Sequence, residues 1–501
     1  AYNMSNLSEL LPSGGGQNNV EFVAQGTLTN GQAVRLRTDG KVEAISVQPA
    51  GISSNINVDA DQPRYNQCIY VSNVNRVAII FQNNTTGYPE AVIGEVSGSS
   101  ITFGTPVQIT TVVSYMPMRA TYDASADRLV AFFGDGGSAG YRGFVGTINA
   151  ATNSSSWGSE QQRSLGILCK ARACIYMPDA LHTLFIFWQN SGNGYLRAAS
   201  AKVNSNNTIT WVSQTNIQTS NGPGYNDYGC DVTYDSNQQV AIAGYNFGYS
   251  TSVAAITIGM DTSGNIAIGT QRSLYSAGYF DCVAIDYDSK TQKCGLVADA
   301  AGNGYMIGVY ADSSTTLAQG SSGPYSLGGL FGGEPEGSIK SNGNNQFIYA
   351  YTYNSSGVIK PAYWLMYIDS NNDLYNSSSS IDIASASSNG DFDIAYDTTT
   401  QKFIINFYYN GTSDKNQAYL YNYPISNNGD VIGITSQAIS SGASGNVSLL
   451  GGINESQSGM TPGDTMYVQG DGSITNSSSG TYTPVLIGTA VSATTLNIKD
   501  L

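Results

Sequence analysis

Histidine is nearly missing from this chain: His182 is the only one in 501 residues. A serine–histidine hydrolase or a histidine-ligated zinc centre needs an imidazole with placed partners. Both chemistries would rest on one residue at the turn end of an expected hairpin strand, where a polar turn role is the simpler account. Charge is scarce too, at 11% of residues, with 21 Lys and Arg against 36 Asp and Glu and a formal net charge of −15. Phosphate backbones are bound by clustered cations, and no basic stripe exists, so nucleic acid is excluded as a partner. No run approaches the roughly 20 apolar residues of a membrane span, which excludes membrane insertion by a helix. The start, AYNMSNLSELLPSGGG, lacks the basic region and apolar core of a secretory signal. The expectation is a chain made and assembled in a cytoplasm, with an initiator Met trimmed before Ala1, or a mature form whose signal is gone. The six cysteines form no CxxC pair of the zinc or redox kind. Cys68, Cys174, Cys230 and Cys282 lie in or just before the first strands of repeats, and Cys169 and Cys294 nearby; all read as buried thiols. Cys282 and Cys294 flank one hairpin and are the pair to consider should a disulfide form. Helical periodicity is absent throughout.

What is present is repetition. ATYDASADRLVAFF, from Ala120, is an apolar strand, a short polar turn and a second apolar strand, a β-hairpin signature. Relatives of it start at Gln67, Ala173, Asp231, Ala284, Gly337 and Asp393. Aligned on the residue before the turn, the markers are Tyr70, Tyr122, Tyr176, Tyr234, Tyr287, Lys340 and Tyr396, spaced by 52, 54, 58, 53, 53 and 56 residues. A second marker, a small-residue loop closing in Gly-Tyr, recurs at Tyr88, Tyr141, Tyr195, Tyr249 and Tyr305 and lapses at Gly357-Val358 and Gly411-Thr412. Third strands follow each loop, and most repeats add a fourth such as ITWVSQTNI. A period near fifty residues holding four short strands is that of a β-propeller blade. The expected fold is all-β: a seven-bladed propeller with four-stranded blades, plus a small β-domain formed from both chain ends. Many tyrosines, 34 in all, speak against disorder.

The expected layout is a flexible arm at 1–19, the first half of a β-module with a linker at 20–62, the propeller at 63–439 and the second half of the module at 440–501. VIGITSQAI, from Val431, is ambiguous, since it reads both as a module strand and as the fourth strand of the last blade. GMTPGDTMYVQGDGSIT followed by PVLIGTAVSATTLNIK resembles the terminal module of tailed-phage virion proteins, fibres and head decorations especially. There the pattern starts Gly-Leu-Thr-Pro-Gly, continues with a Tyr-Tyr-Val strand and a Thr-Asp-Gly turn, and ends near Gly-x-Ala-x-Ser-Ala-Thr. Met460, Met466 and Gly470 depart from it. GTLTNGQAVRLRTDGKVEAI, Gly26 to Ile45, resembles that module's amino-terminal half. The resemblance covers about 90 residues and implies one β-domain whose halves pack together around an inserted propeller; a ring whose ends meet is easily inserted.

Candidate site residues fall into two groups. The Gly-Tyr residues Tyr88, Tyr141, Tyr195, Tyr249 and Tyr305 present phenol rings at equivalent positions, either as a glycan-binding face or as packing between blades. A specific pocket breaks symmetry, so Tyr225, Tyr228, Tyr408 and Tyr409 in irregular loops join them, with GGLFGGEPEG at Gly328. Arg64, Arg119, Arg172, Asp281, Glu336 and Asp391, with Asp393 beside the last, fall just before first strands, near one mouth of the channel. They are solvated rim residues or a catalytic carboxylate set. SSSWGSE at Ser154 and NTITWVSQ at Asn207 lack the Asp-x-Gly of sialidase Asp-boxes. No calcium-loop pattern appears, so no cofactor and no metal are expected.

These readings converge on a non-enzymatic virion surface protein. Its propeller would contact a host-surface glycan or receptor, and its terminal module would attach it to other virion proteins. By analogy with fibres it would be a homo-oligomer, a trimer. The alternatives are a purely structural decoration, a glycan depolymerase or glycosidase, and a secreted bacterial lectin.

Overall fold

The computed structural model describes residues 18–499 except 38, 47–50, 54, 60–62, 114–116, 135–139, 190–193, 219–228, 248–251, 277–279, 301–302, 322, 330–336, 356–357, 377–378, 384–387, 410–414, 423–427 and 479–483. The chain divides into two compact units, residues 52–421 and a unit made of residues 1–51 with 422–501. Each is all-β.

In the larger unit, seven antiparallel sheets follow one another among the described residues. Their inner strands are Pro63–Val71, Met118–Asp123, Cys169–Met177, Cys230–Asp235, Phe280–Asp288, Ser338–Ser341 and Ser388–Asp397. Each packs on the next, and the last returns to the first, which closes a β-propeller ring. The sheets are called blades 1 to 7 here. Second strands are continuous apolar runs because both of their faces are covered by side chains; Leu129 to Phe133 in blade 2 are all at most 1% exposed. The fourth strand is broken in most blades. In blade 2, Gly140–Asn149 pairs with Ser154–Trp157 along one half and Gln161–Ser164 along the other. In blade 3 it is the single strand Ile209–Gln218 with two register shifts. Core clusters straddle neighbours, as where Leu184 and Ala198 of blade 3 meet Val232 and Ala243 of blade 4.

The hairpin markers have a structural meaning. Five positions beyond each, at Asn75, Asp127, Leu181, Gln239, Gln292, Asn345 and Gln401, the backbone is left-handed, with φ between 51° and 59°. Four turns open with an aspartate, Asp123, Asp235, Asp288 and Asp397, whose Oδ1 accepts main-chain N–H groups two or three residues on. This is Asx-turn chemistry. Every turn therefore takes positive φ at this position, and none places glycine there.

Blade 7 corrects one expectation. Its inner three strands are Ser388–Asp397, Lys402–Tyr409 and Lys415–Asn422, but its outer edge comes from Gly51–Ile52 and Ile56–Asp59, in the segment read as a linker. Val431–Thr435 instead lies between Ala33–Leu36 and Ser444–Leu449 in the smaller unit. So the ring is sealed by a strand from before blade 1, and the ambiguous segment belongs to the module. The smaller unit has two five-stranded sheets, one of which interleaves Asn19–Val23, Ala33–Leu36 and Val42–Ala44 with strands after residue 430. Its core mixes Ala33 and Ile45 with Ile434, Met466, Val468 and Ile487, so the two chain ends form one domain.

Two outcomes follow. Val58 is 5% exposed in a cluster with Phe81, Ala418 and Leu420. Val58→Asp buries an unpaired charge at the seal and should cost about 3 kcal/mol or more, read as a lowered unfolding transition in calorimetry and early proteolysis of blade 7. Leu181 holds φ 56° while 52% exposed. Leu181→Asn relieves an αL penalty with little packing lost and should stabilise the chain by about 0.5–1 kcal/mol in the same measurement.

Candidate functional site

All seven inner strands line one central cavity of about 380 Å³. Counting from the marker, two inward positions face it. Three residues before the marker lie Arg119, Asp231 and Asp393, and one residue before it lie Thr121 and Asp286, all lining the cavity; Thr233 holds the same position in blade 4 but is buried at the junction. The strand pleat puts both on one face.

The geometry shows what these polar side chains hold. Asp231 of blade 4 accepts the main-chain N–H of Ile285 in blade 5 at 3.0 Å. Asp393 of blade 7 accepts that of Cys68 in blade 1 at 2.7 Å and the Ser338 hydroxyl of blade 6 at 3.0 Å. Thr121 and Thr233 accept the N–H groups of Tyr176 and Tyr287. Asp286 accepts the Ser341 N–H at 2.7 Å and the Lys340 ammonium at 3.1 Å. Arg119 Nε donates to the Arg172 carbonyl at 2.6 Å. Asn73 donates to the Ala124 carbonyl, and Tyr234 to Asp179, completing the remaining junctions. Every junction between blades thus carries a side-chain hydrogen bond.

Burial sets the electrostatics. It pushes the Asp231 carboxyl up to about 6, against the Ile285 and Val232 N–H groups that favour its charge. Asp393 moves upward for the same reason. Burial works against the Lys340 charge, but neighbouring Asp286 overcomes it and holds that pKa above the ordinary value. Cys68, Cys174 and Cys230 also line the cavity, and burial raises each thiol, Cys230 to about 12. They are not thiolate nucleophiles. None of the six cysteines is in a disulfide. Cys282 stands opposite Asp299 and Cys294 opposite Tyr287, so that pair is out of register. His182 is 3% exposed, its Nδ1 2.6 Å from the Ala180 carbonyl oxygen, and Gly264 of blade 4 packs against its ring. It is a buried strand residue, not an exposed turn residue. Among the described residues no group of three His, Cys, Asp or Glu could hold a metal ion.

The sequence candidates scatter. Arg119 lines the cavity and Arg64 is exposed, while Arg172 is fully buried with its guanidinium 6.0 Å from the Trp188 ring centre. Glu336 lies outside the described residues, as do the side chains of Asp281 and Asp391. Tyr141 is fully buried against Phe185, Phe187 and Trp211 of blade 3, so it packs between blades and cannot be a ligand face. Tyr305 is half-buried against Tyr275 at 4.6 Å. Tyr88, Tyr195 and Tyr408 are half-buried; Tyr225, Tyr228 and Tyr249, with the side chain of Tyr409, lie outside the described residues. Asp231, Asp286, Ser338 and Lys340 were missed as a set. The signal for Asp231 and Asp286 was the column three and one residues before the marker; Ser338, two before it, and Lys340, the marker itself, fall outside that column.

No family model matches the chain, and no curated protein does. Solved structures similar to it include a protein from Lactobacillus plantarum at 9% identity and TM-score 0.46, covering 74% of this chain and 99% of that one. Saccharomyces cerevisiae Sqt1 matches at 9% identity and TM-score 0.41 over 74% and 98% of the two chains. A Hadza microbial sialidase matches at 10% and 0.39 over 64% and 69%. No helix among the described residues is long and apolar enough to cross a membrane.

A pH dependence follows from Asp231. Its folded value, about 6, lies above the ordinary 3.8. The native state therefore keeps a proton that the unfolded chain has released, and this stabilisation is full below pH 3.8 and lost as pH rises through 6. Unfolding followed at pH 5 and pH 7 should show a loss of stability, and Asp231→Asn should flatten it by about 1–2 kcal/mol. Equal slopes in the two proteins would contradict this.

Proposed function

We propose that the chain is a non-enzymatic virion surface protein of the tailed-phage kind, whose propeller touches a host-surface glycan or receptor and whose two-ended module attaches it to the particle. One observation carries the non-enzymatic part: the cavity carboxylates Asp231, Asp286 and Asp393 accept main-chain N–H groups of the next blade. A general acid and base must be presented to substrate, in hydrogen-bond reach of the proton moved. Here these carboxylates hold the ring together. The module resemblance supports the particle, because both of its halves enter one domain. On a particle the chain is a homo-oligomer, a trimer by analogy, and repeated copies give avidity to weak contacts.

The test is a glycan-array and whole-cell binding assay with the full chain, run beside turnover of the same glycans. Saturable binding with no cleavage is expected, together with incorporation into particles through the module. Cleaved glycan would replace this reading by the depolymerase one, and incorporation without cell or glycan binding would leave a structural decoration.

A further inference from the structure

The outer strands of blade 6 break the symmetry of the ring. In five other blades one cross-strand pair near the end of the third strand is Glu95–Thr102, Thr147–Ser156, Lys202–Thr210, Gly259–Ala267 and Tyr310–Ala318. In blade 6 the same pair is Tyr367–Tyr375. Their ring centres are 6.2 Å apart with planes inclined by only 29°. Tyr325, from the last strand of blade 5, adds a third ring 4.3 Å from Tyr375, and the Tyr375 hydroxyl donates to that of Tyr325. Tyr367 is 38% exposed, the other two half-buried.

This platform is held rigidly. Gly308 and Gly320 of blade 5 let the blade 6 outer hairpin approach so closely that an added Cβ would fall 1.8 Å from the Asn372 carbonyl oxygen and 2.1 Å from Asp373 Oδ1. The Gly323 N–H donates to Asp373 at 3.1 Å and the Ser321 N–H to the Asn371 carbonyl at 3.3 Å. Asp369 accepts the Asn371 and Asp373 N–H groups and closes the hairpin turn. A ligand meeting these rings therefore orders little of the protein, which spares binding that entropic cost.

We infer that Tyr325, Tyr367 and Tyr375 form a carbohydrate-binding platform for an uncharged sugar. The inference rests on the adhesion reading and names its ligand class. The three side chains offer ring faces and phenol hydroxyls and no charge. A neutral pyranose presents the complement, an apolar C–H face with hydroxyls at its edge, whereas a phosphorylated or sulfated glycan would bring anions to a chain of net charge −15. The exposed ring of Tyr367, stacked beside Tyr375, suits such a face better than it suits a peptide groove.

The probes are soluble neutral oligomers of glucose, galactose and N-acetylglucosamine, and a proline-rich peptide, titrated against the full chain by calorimetry. Saturable binding to at least one oligosaccharide is expected. Tyr367→Ala and Tyr375→Ala should each weaken it about 10-fold or more, and Tyr375→Phe should keep it within about 3-fold. Circular dichroism of each variant guards against unfolding, and Tyr310→Ala in blade 5 is the matched control. Sugar binding unchanged in both folded alanine variants would overturn the platform while adhesion stands. Binding of the peptide and no sugar would also overturn it. A chain that binds whole cells but no neutral sugar would refute the ligand class alone, and one that binds neither would refute the adhesion reading as well.

Discussion

The structure depends on one recurring contact: a polar side chain on the inner strand of one blade accepting the main-chain N–H of the next. A propeller has no covalent hoop, and each blade sheet leaves its inner edge unpaired toward the centre. Buried N–H groups there must find acceptors, and Asp231, Thr121, Thr233, Asp286 and Asp393 supply them. Asp393 does so across the closure, to Cys68, so the last blade and the first are tied by the same kind of bond that joins blades 2 and 3, 4 and 5, and 5 and 6. The outer edge of blade 7 is closed separately, by backbone pairing to residues 51–59.

Function and fold compete for the same side chains in such a cavity. Carboxylates beside a polar tunnel invite a catalytic reading, yet each here neutralises a structural N–H that would otherwise be stranded. The cost is visible in Asp231 and Asp393, whose burial disfavours the charge that makes them good acceptors. A ring built in this way is a rigid scaffold, and its distinguishing chemistry sits where repeats diverge, at the rim. Blade 6 diverges most clearly, since two aromatic rings face each other where the five compared blades have at most one.

Much of the fold was legible in the residues. The marker column fixed the blade period because each tyrosine precedes a turn that needs a left-handed residue five positions on. That both chain ends enter one β-domain was also legible, from the strand and turn patterns of residues 26–45 and 459–498. The closing strand was not, because GISSNINVD is short and polar and its partner Lys415–Asn422 lies more than 350 residues away. The site was legible only in part. Tyr367 and Tyr375 face each other across a hairpin that the sequence implies, but Tyr325 joins them through the seam between blades, which ring geometry alone creates. Of the two readings of the Gly-Tyr column, packing holds at Tyr141, which is sealed between blades.

The most direct test of the account is a crystal structure of the full chain grown with a neutral oligosaccharide that it binds. The account predicts intact sugar stacked on Tyr367 and Tyr375 at the rim of blade 6, with the central cavity unchanged. Sugar seated in the cavity against Asp231 and Asp393, with its glycosidic bond broken, would contradict it.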